Sequence, residues 1–599
     1  MLLFMLCATL LSSLLLLQCA NPVMPVGGPR DMEPPRVLVS DPLNYTTDFT
    51  ERNITITFDE FVNITKLQQE LLISPPLNSR PEFRIRGRRL QLRFMEDLKP
   101  ETTYTIFFGN GIVDLTEGNP LRDFTFVFST GAIIDSMSMS GNMRHAFDLE
   151  AAENAFLMLY LIDNDTLPLD SLPYLVKPYY VTRTDQEGNF LFNNLRNERF
   201  KIFGLADRNS NFIYDMSGEA IAFLDTLVTP AYFKPLADSL FLTDSLLIKE
   251  TEFGVDTVEM TTMVIDSLKR AAELERQEGK SFYELMMFTE VDSTQRLLRA
   301  ELVKEGLLQF VFRYPAAHVE VVSMDTISDD FGLLRQFSKA KDTLFWYFKP
   351  QVYDSLRINV RFDTLINDTL HLSLSPRLTG QEARRAARSD APVYLQVFNN
   401  VRARRLDIDK DLIFRFDYPV IEYKPHDSIR FVANGDTTYN SIEFEKVDQI
   451  GLQYRLKYEF EPEGVYNLFI PDSCFRGLND TWNDTIRVNV RIPPLSEYGN
   501  LFINLILPED EQHIIQLLNN RGDVIREMIV KQSQQIVFYN LLAGRYNLKA
   551  IHDRNRNGRW DTGDYLKGIQ PERVFLFSKE MEIRGNWDFE EDWDILNGL

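Results

Sequence analysis

The sequence predicts an all-β protein made of tandem β-sandwiches, and three observations point there. Short alternating stretches recur, such as ITITFD at 54–59 and LIFRFD at 412–417, and a period of two marks a half-buried strand. Turn-forming residues separate such stretches about every 8 to 12 residues, a rhythm of sandwiches rather than barrels or propellers. The composition includes 44 Phe and 23 Tyr, residues that pack well on a pleated surface.

Length and charge bound the rest. A chain of 599 residues holds about four domains at roughly 150 residues each, and its 44% apolar content supplies several cores. The net charge of −23 argues against nucleic acid as a partner, because phosphate binding needs a basic face. Of three cysteines, Cys7 and Cys19 lie at the N-terminus. Cys474 is therefore alone in the body, where a small core residue is expected.

Residues 1–18, MLLFMLCATLLSSLLLLQ, are apolar and uncharged, short for a membrane span with proper flanks. The run ends at Cys19 and resembles a bacterial lipoprotein signal. That resemblance implies removal of 1–18 and lipidation of Cys19; an uncleaved anchor and an ordinary secretory signal are the alternatives. Residues 19–35 are rich in Pro and Gly and read as a tether. Ala20 after the Cys resembles lipoproteins of the outer membrane. No acidic cluster follows closely, which leaves open whether the chain faces the periplasm or the cell surface.

Beyond the tether the expected order is a sandwich at 36–131, a second at 132–248, a linker with a helix at 249–283, a third sandwich at 284–378, a linker at 379–392, and sandwiches at 393–494 and 495–599. The helix is expected over 257–278, where Val264, Leu268 and Ala271 share one face. NWDFEEDWDIL, near the end, alternates and reads as a final strand.

The body repeats itself at long range. Residues 190–215 and 536–561 align without a gap at an offset of 346, so that Asp207, Asn209, Asn211 and Asp215 meet Asp553, Asn555, Asn557 and Asp561. LKPETTYTIFF at 98–108 likewise matches FEPEGVYNLFI at 460–470, each with Tyr four residues after Pro. The chain thus reads as an A–B pair, a middle section and a second A–B pair.

The tether CANPVMPVGGPRDMEPPRV, followed by FDEFV, LKPETTYTIFF and GNGIVDLTEGNPL, resembles Ig-like domain lipoproteins of Bacteroidota. The resemblance implies that the A units are bacterial Ig-like domains of the S-layer protein type and the B units prealbumin-like modules. It spans the chain, with its specific motifs in the tether, the first A unit and the two B units. It implies adhesion or scaffolding and carries over no catalytic residue.

DRNRNGRWDTGD at 553–564 is the most patterned stretch. Counting Asp553 as one, acidic or amide side chains fall at 1, 3, 5, 9 and 12, with Gly558 at 6. Calcium takes six to eight oxygens, and this is the spacing of a helix-flanked calcium loop with Asp564 in place of the usual Glu. The candidate ligands are Asp553, Asn555, Asn557, Asp561, Asp564 and the backbone of Arg559. A weaker second set is Asp207, Asn209, Asn211, Asp215 and Glu219, with Phe212 where the Gly would be. The competing reading is a ladder of Asx turns, in which side-chain oxygens accept backbone N–H groups. Calcium is the one cofactor candidate.

Six histidines, at 145, 318, 371, 426, 513 and 552, show no zinc spacing, and no nucleophile or phosphate-loop motif is present. The expectation is a non-catalytic lipoprotein of the outer membrane that binds or scaffolds, held to the membrane by its N-terminal lipid and partnered by other envelope proteins, with no small-molecule substrate evident. The alternatives are a periplasmic accessory subunit of an outer-membrane assembly or secretion machine, and an accessory chain of a hydrolase.

Overall fold

A computed structural model describes residues 31–162, 167–215, 218–232, 281–291, 295–316, 319–350, 352–362, 366–375, 393–425, 428–436 and 442–595. The apolar run 1–18, Cys19, most of the tether, the helix expected at 257–278 and the linker expected at 379–392 lie outside the described residues. Among those described, strands dominate. α-Helix is confined to the single turns Leu67–Glu70 and Leu172–Leu175.

The chain divides into two compact units: Met1–Glu290 with Thr562–Pro571, and Val291–Asp561 with Glu572–Leu599. In the first, Val37–Asp41, Asn53–Phe58, Arg89–Arg93 and Glu82–Arg86 form one sheet in that spatial order. Leu72–Ser74, Thr103–Phe107 and Thr125–Ser129 form the facing sheet, and Val62–Ile64 pairs with Ile112–Asp114. The pattern of ITITF explains its strand: Ile54, Ile56 and Phe58 are buried while Thr55 and Thr57 are half-exposed. The Pro-to-Tyr motif also finds its cause here. The Tyr104 hydroxyl accepts the Lys99 N–H at 2.9 Å and pins the turn that enters its strand, the corner seen in Ig-like sandwiches.

The second sandwich of this unit contains Met137–His145, Phe156–Leu161, Tyr180–Arg183, Asn189–Leu195, Phe200–Leu205 and Ala220–Phe223. It is closed by Phe282–Thr289, which pairs parallel with Met137–His145 and antiparallel with Ala220–Phe223. This corrects the expectation that the module ends at 248 and that a third sandwich begins at 284. Leu285 and Met287 are buried in the module's core with Leu157, Phe190 and Ile202. The alternation of 282–289 marks a strand, but not which sheet it joins.

In the second unit the region 393–494 repeats the strand order of the first sandwich. Val397–Asn399, Ile413–Phe416, Gln453–Leu456 and Phe444–Lys446 form one sheet; Arg430–Ala433, Val465–Ile470 and Ile486–Arg491 another; Val420–Tyr423 pairs with Phe475–Gly477. Tyr466 accepts the Glu461 N–H at 2.9 Å, as Tyr104 does for Lys99. Cys474 is buried in this core.

Residues 297–373 show the same order again. Leu297–Lys304, Leu307–Phe312, Thr343–Tyr347 and Leu334–Phe337 face Val319–Ser323, Ser355–Phe362 and Ile366–Ser373. The middle pair has no counterpart among the described residues, for a local reason. In the first sandwich Ile112–Asp114 lies on the connection from Phe107 to Thr125, whereas here Ser355–Phe362 pairs with the next strand, Ile366–Ser373, three residues on, with Phe362 opposite Ile366.

The C-terminal sandwich repeats the second. Tyr498–Ile506 lies between Gln534–Leu542 and a parallel last strand, Asp588–Asp594, as Met137–His145 lies between Asn189–Leu195 and Phe282–Thr289. The other sheet holds Val524–Val530, His513–Asn519, Gly544–His552 and Val574–Leu576, with Met581–Ile583 also paired to Gly544–His552. Trp593 is buried in its core.

Candidate cation loops of the repeated sandwiches

The strand Gly544–His552 delivers Asp553 to the end of the core. There the Asp553 N–H donates to the Gln512 carbonyl at 2.9 Å, and the side chain is almost wholly buried. Its carboxylate accepts the Asn557 N–H at 3.0 Å, the Gly558 N–H at 2.8 Å and the Gln512 side-chain amide at 2.6 Å. Asn555 and Asn557 each accept the N–H two residues on. Their side-chain amides both donate to Oδ2 of Asp561. Gly558 adopts φ +77° with no backbone within 4 Å of a Cβ built there, so its conformation rather than crowding calls for Gly.

A buried acid completes the loop. The Glu572 carboxylate accepts the Arg554 N–H at 2.8 Å and the Asp561 N–H at 3.0 Å, while its carbonyl accepts the Trp560 indole at 2.9 Å. Burial pushes the Glu572 carboxyl up, and Asp561 and Asp553 add to the rise against the two N–H donors. A cation beside the three acids would relieve that repulsion.

The first loop has the same construction. Asp207 accepts the N–H groups of Asn209, Ser210 and Phe212 at 3.1, 2.6 and 2.7 Å. Asn209 and Asn211 donate their amides to Asp215 at 3.3 and 2.8 Å. Glu219, almost wholly buried, accepts the Arg208 and Asp215 N–H groups at 3.1 and 3.4 Å. Phe212 takes φ +61° where the other copy has Gly558, a costly conformation for a bulky residue. Its ring packs edge-on against Phe156 at 5.1 Å.

The structure thus brings together Asp553, Asn555, Asn557 and Asp561, and in the first copy Asp207, Asn209, Asn211, Asp215 and Glu219. It does not bring Asp564 to the first set. Asp564 lies in the stretch 562–571 that belongs to the first unit; its carboxylate meets the Lys567 ammonium at 2.7 Å, which holds its pKa down. Glu572 bonds the second and ninth N–H groups of its loop, as Glu219 does in the first copy. From Asp215 to Glu219 is four residues and from Asp561 to Glu572 eleven, so the second copy carries seven extra residues between its ninth position and its closing acid. One signal in the sequence could have found Glu572: in each copy an acid stands just ahead of the next strand, Ala220–Phe223 or Val574–Leu576. Arg559 donates its N–H to Asn557 and its side chain reaches Asp561 at 3.3 Å.

The third, fifth and ninth side chains of each loop converge, with amide N–H groups turned to the ninth carboxylate. The Asn oxygens of each loop meanwhile accept backbone N–H groups two residues on, so a cation would have to share those oxygens through their second lone pairs. Among the described residues, no group of three or more His, Cys, Asp or Glu side chains is set to hold a metal ion; amide and carbonyl oxygens would have to supply the rest of a calcium shell.

A family model described as a bacterial Ig-like domain matches residues 31–130. A search of curated proteins finds no match. Among solved structures, the S-layer protein rSbsC(31-844) aligns at 9% identity over 92% of this chain and 67% of its own, with a TM-score of 0.13. BcpA, the major pilin subunit of Bacillus cereus, aligns at 8% identity over 76% of this chain and 98% of its own, also with a TM-score of 0.13. Superpositions at these scores establish nothing about function.

Proposed function

We propose that the chain is a non-catalytic lipoprotein of the outer membrane, anchored through Cys19, whose tandem sandwiches bind or scaffold other envelope proteins. The observation that carries this reading is the repetition itself. One strand order recurs at 37–129 and 397–491, in shortened form at 297–373, and one prealbumin-like module with its Asx loop occurs twice. The family match at residues 31–130 supports a structural or binding role. Calcium fits as a stiffening ion of the two loops, with an affinity of about 10⁻⁴ to 10⁻³ M as in other extracellular modules.

Two measurements test the proposal. Labelling of cells with a radioactive fatty acid, followed by membrane fractionation, should place label on the wild-type chain in the outer membrane and none on Cys19→Ala. A chain recovered unlabelled from the cytoplasm sinks the reading. Titration of the whole chain with millimolar calcium should raise its melting temperature, and Asp561→Asn should remove most of the rise. A flat thermogram in the wild type leaves the loops as Asx turns only.

A further inference from the structure

The chain has 64 basic residues against 87 acidic ones, yet residues 80–94, RPEFRIRGRRLQLRF, reverse that balance. Arg80, Arg84, Arg86, Arg88, Arg89 and Arg93 stand there against one acid, Glu82, and all six arginines are exposed. The hairpin of Glu82–Arg86 and Arg89–Arg93 gathers them, setting Arg86 opposite Arg89 and Arg84 opposite Gln91. Phe83, Ile85, Leu90 and Leu92 turn into the core. The period of two therefore puts Arg84, Arg86, Arg89 and Arg93 on the outer face.

That face continues through Thr57, Thr55 and Asn53, opposite Arg89, Gln91 and Arg93, and ends at Val39 and Asp41 on the far strand. Glu82 and Asp41 are its acids. Arg84 bonds Glu82 at 3.3 Å, and among the described residues no other carboxylate lies within ion-pair reach of the six arginines. Arg88 lies over the exposed Phe61 ring at 5.6 Å. Folding does not call for this arrangement. Like charges directly opposite on neighbouring strands, as at Arg86 and Arg89, weaken a sheet.

We propose that this four-stranded face docks on the anionic headgroups of a lipid bilayer. Guanidinium groups grip phosphate oxygens in pairs, and a flat sheet offers several at once. The face belongs to the first sandwich after Cys19. Asp31 stands only twelve residues beyond Cys19, a reach of at most about 40 Å. A chain of net charge −23 is repelled by an anionic membrane, so one basic face fixes which side turns to it. A basic patch also gives a lipid anchor its second membrane contact. The inference rests on the lipoprotein reading above.

The test uses the chain from Ala20 onward, made without lipid, and vesicles of phosphatidylcholine with or without phosphatidylglycerol. The chain should sediment with the anionic vesicles only, and release at about 0.5 M salt, where screening is strong. The variant R84E/R86E/R89E/R93E should bind at least on the order of 1,000-fold more weakly while its melting transition shows it folded, and the corresponding four-lysine variant should keep binding. Equal sedimentation with neutral vesicles, no sedimentation at all, or binding untouched by the four glutamates overturns the proposal. So does salt-sensitive self-association without vesicles, which assigns the face to a second copy, or capture by an acidic polysaccharide and not by vesicles. Absence of fatty-acid label at Cys19 in cells removes the lipoprotein reading separately, and vesicle binding then stands or falls alone.

Discussion

His513 is the clearest residue out of balance with its surroundings. It is fully buried, and among the described residues neither ring nitrogen has a hydrogen-bond partner. It stacks on His552 at 5.2 Å, and Glu511 stands 3.8 Å from its Nε2. Burial first, and then the neighbouring His552, push its pKa from 6.5 to about 4. The folded pKa lies below the unfolded one, so the unfolded state binds the extra proton. Stability is full above pH 6.5, falls as pH drops toward 4 and is flat below it. The loss is at most about 3 kcal/mol. Melting of the C-terminal sandwich should fall over that window, and His513→Phe should flatten the profile; parallel profiles would refute the argument. The two corner tyrosines offer a second case at this scale. Tyr466→Phe leaves the Glu461 N–H without its acceptor and should cost about 1 kcal/mol, read as faster hydrogen exchange in Val465–Ile470 and not in Thr103–Phe107. Tyr104→Phe should reverse the pattern.

At the scale of the element, the Asx loop can be taken apart. Its repeat was legible in sequence because side chains that satisfy successive N–H groups must alternate, and the same alternation appears in both copies. Its closing acid was masked in the sequence by an Asp at position 564, which sat where a contiguous loop would end. Only the fold carries the chain out after Asp561 and back to Glu572. Glu572→Ala removes the acceptor of two N–H groups and should lower the stability of the C-terminal sandwich by about 2 to 3 kcal/mol without calcium. Asp564→Ala breaks only the contact to Lys567 and should cost much less. Denaturant midpoints in the presence of a chelator compare the two directly; equal losses would return the twelfth position to Asp564.

At the scale of the molecule, the first unit is assembled from stretches distant in sequence. Tyr565, from the segment 562–571, is buried in it among Tyr174, Phe203 and Phe223, with ring centroids at 5.8, 5.6 and 5.1 Å. Its N–H donates to Glu290 at 2.6 Å and its hydroxyl to the Asp170 carbonyl at 2.7 Å. Tyr565→Ala should therefore cost the first unit about 3 kcal/mol, seen as a lower melting transition and faster proteolysis within residues 137–290. An unchanged transition would show that the segment adds nothing to that core.

The all-β class, the repeated Pro-to-Tyr spacing and the position of both Asx loops could be read from the residues alone. All are local: a side-chain period of two, a turn four residues from its tyrosine, and oxygens paired with N–H groups a few residues away. Four other features needed the folded chain. Phe282–Thr289 closes the second sandwich, 297–373 is a shortened third copy of the strand order of 37–129, Glu572 stands in for Asp564, and 562–571 belongs to the first unit. Each is a choice of partner across a long stretch of chain. A strand's alternation says that it has a buried face. Which sheet accepts that face is set by the shape and unfilled edges of a core that exists only once the chain has folded.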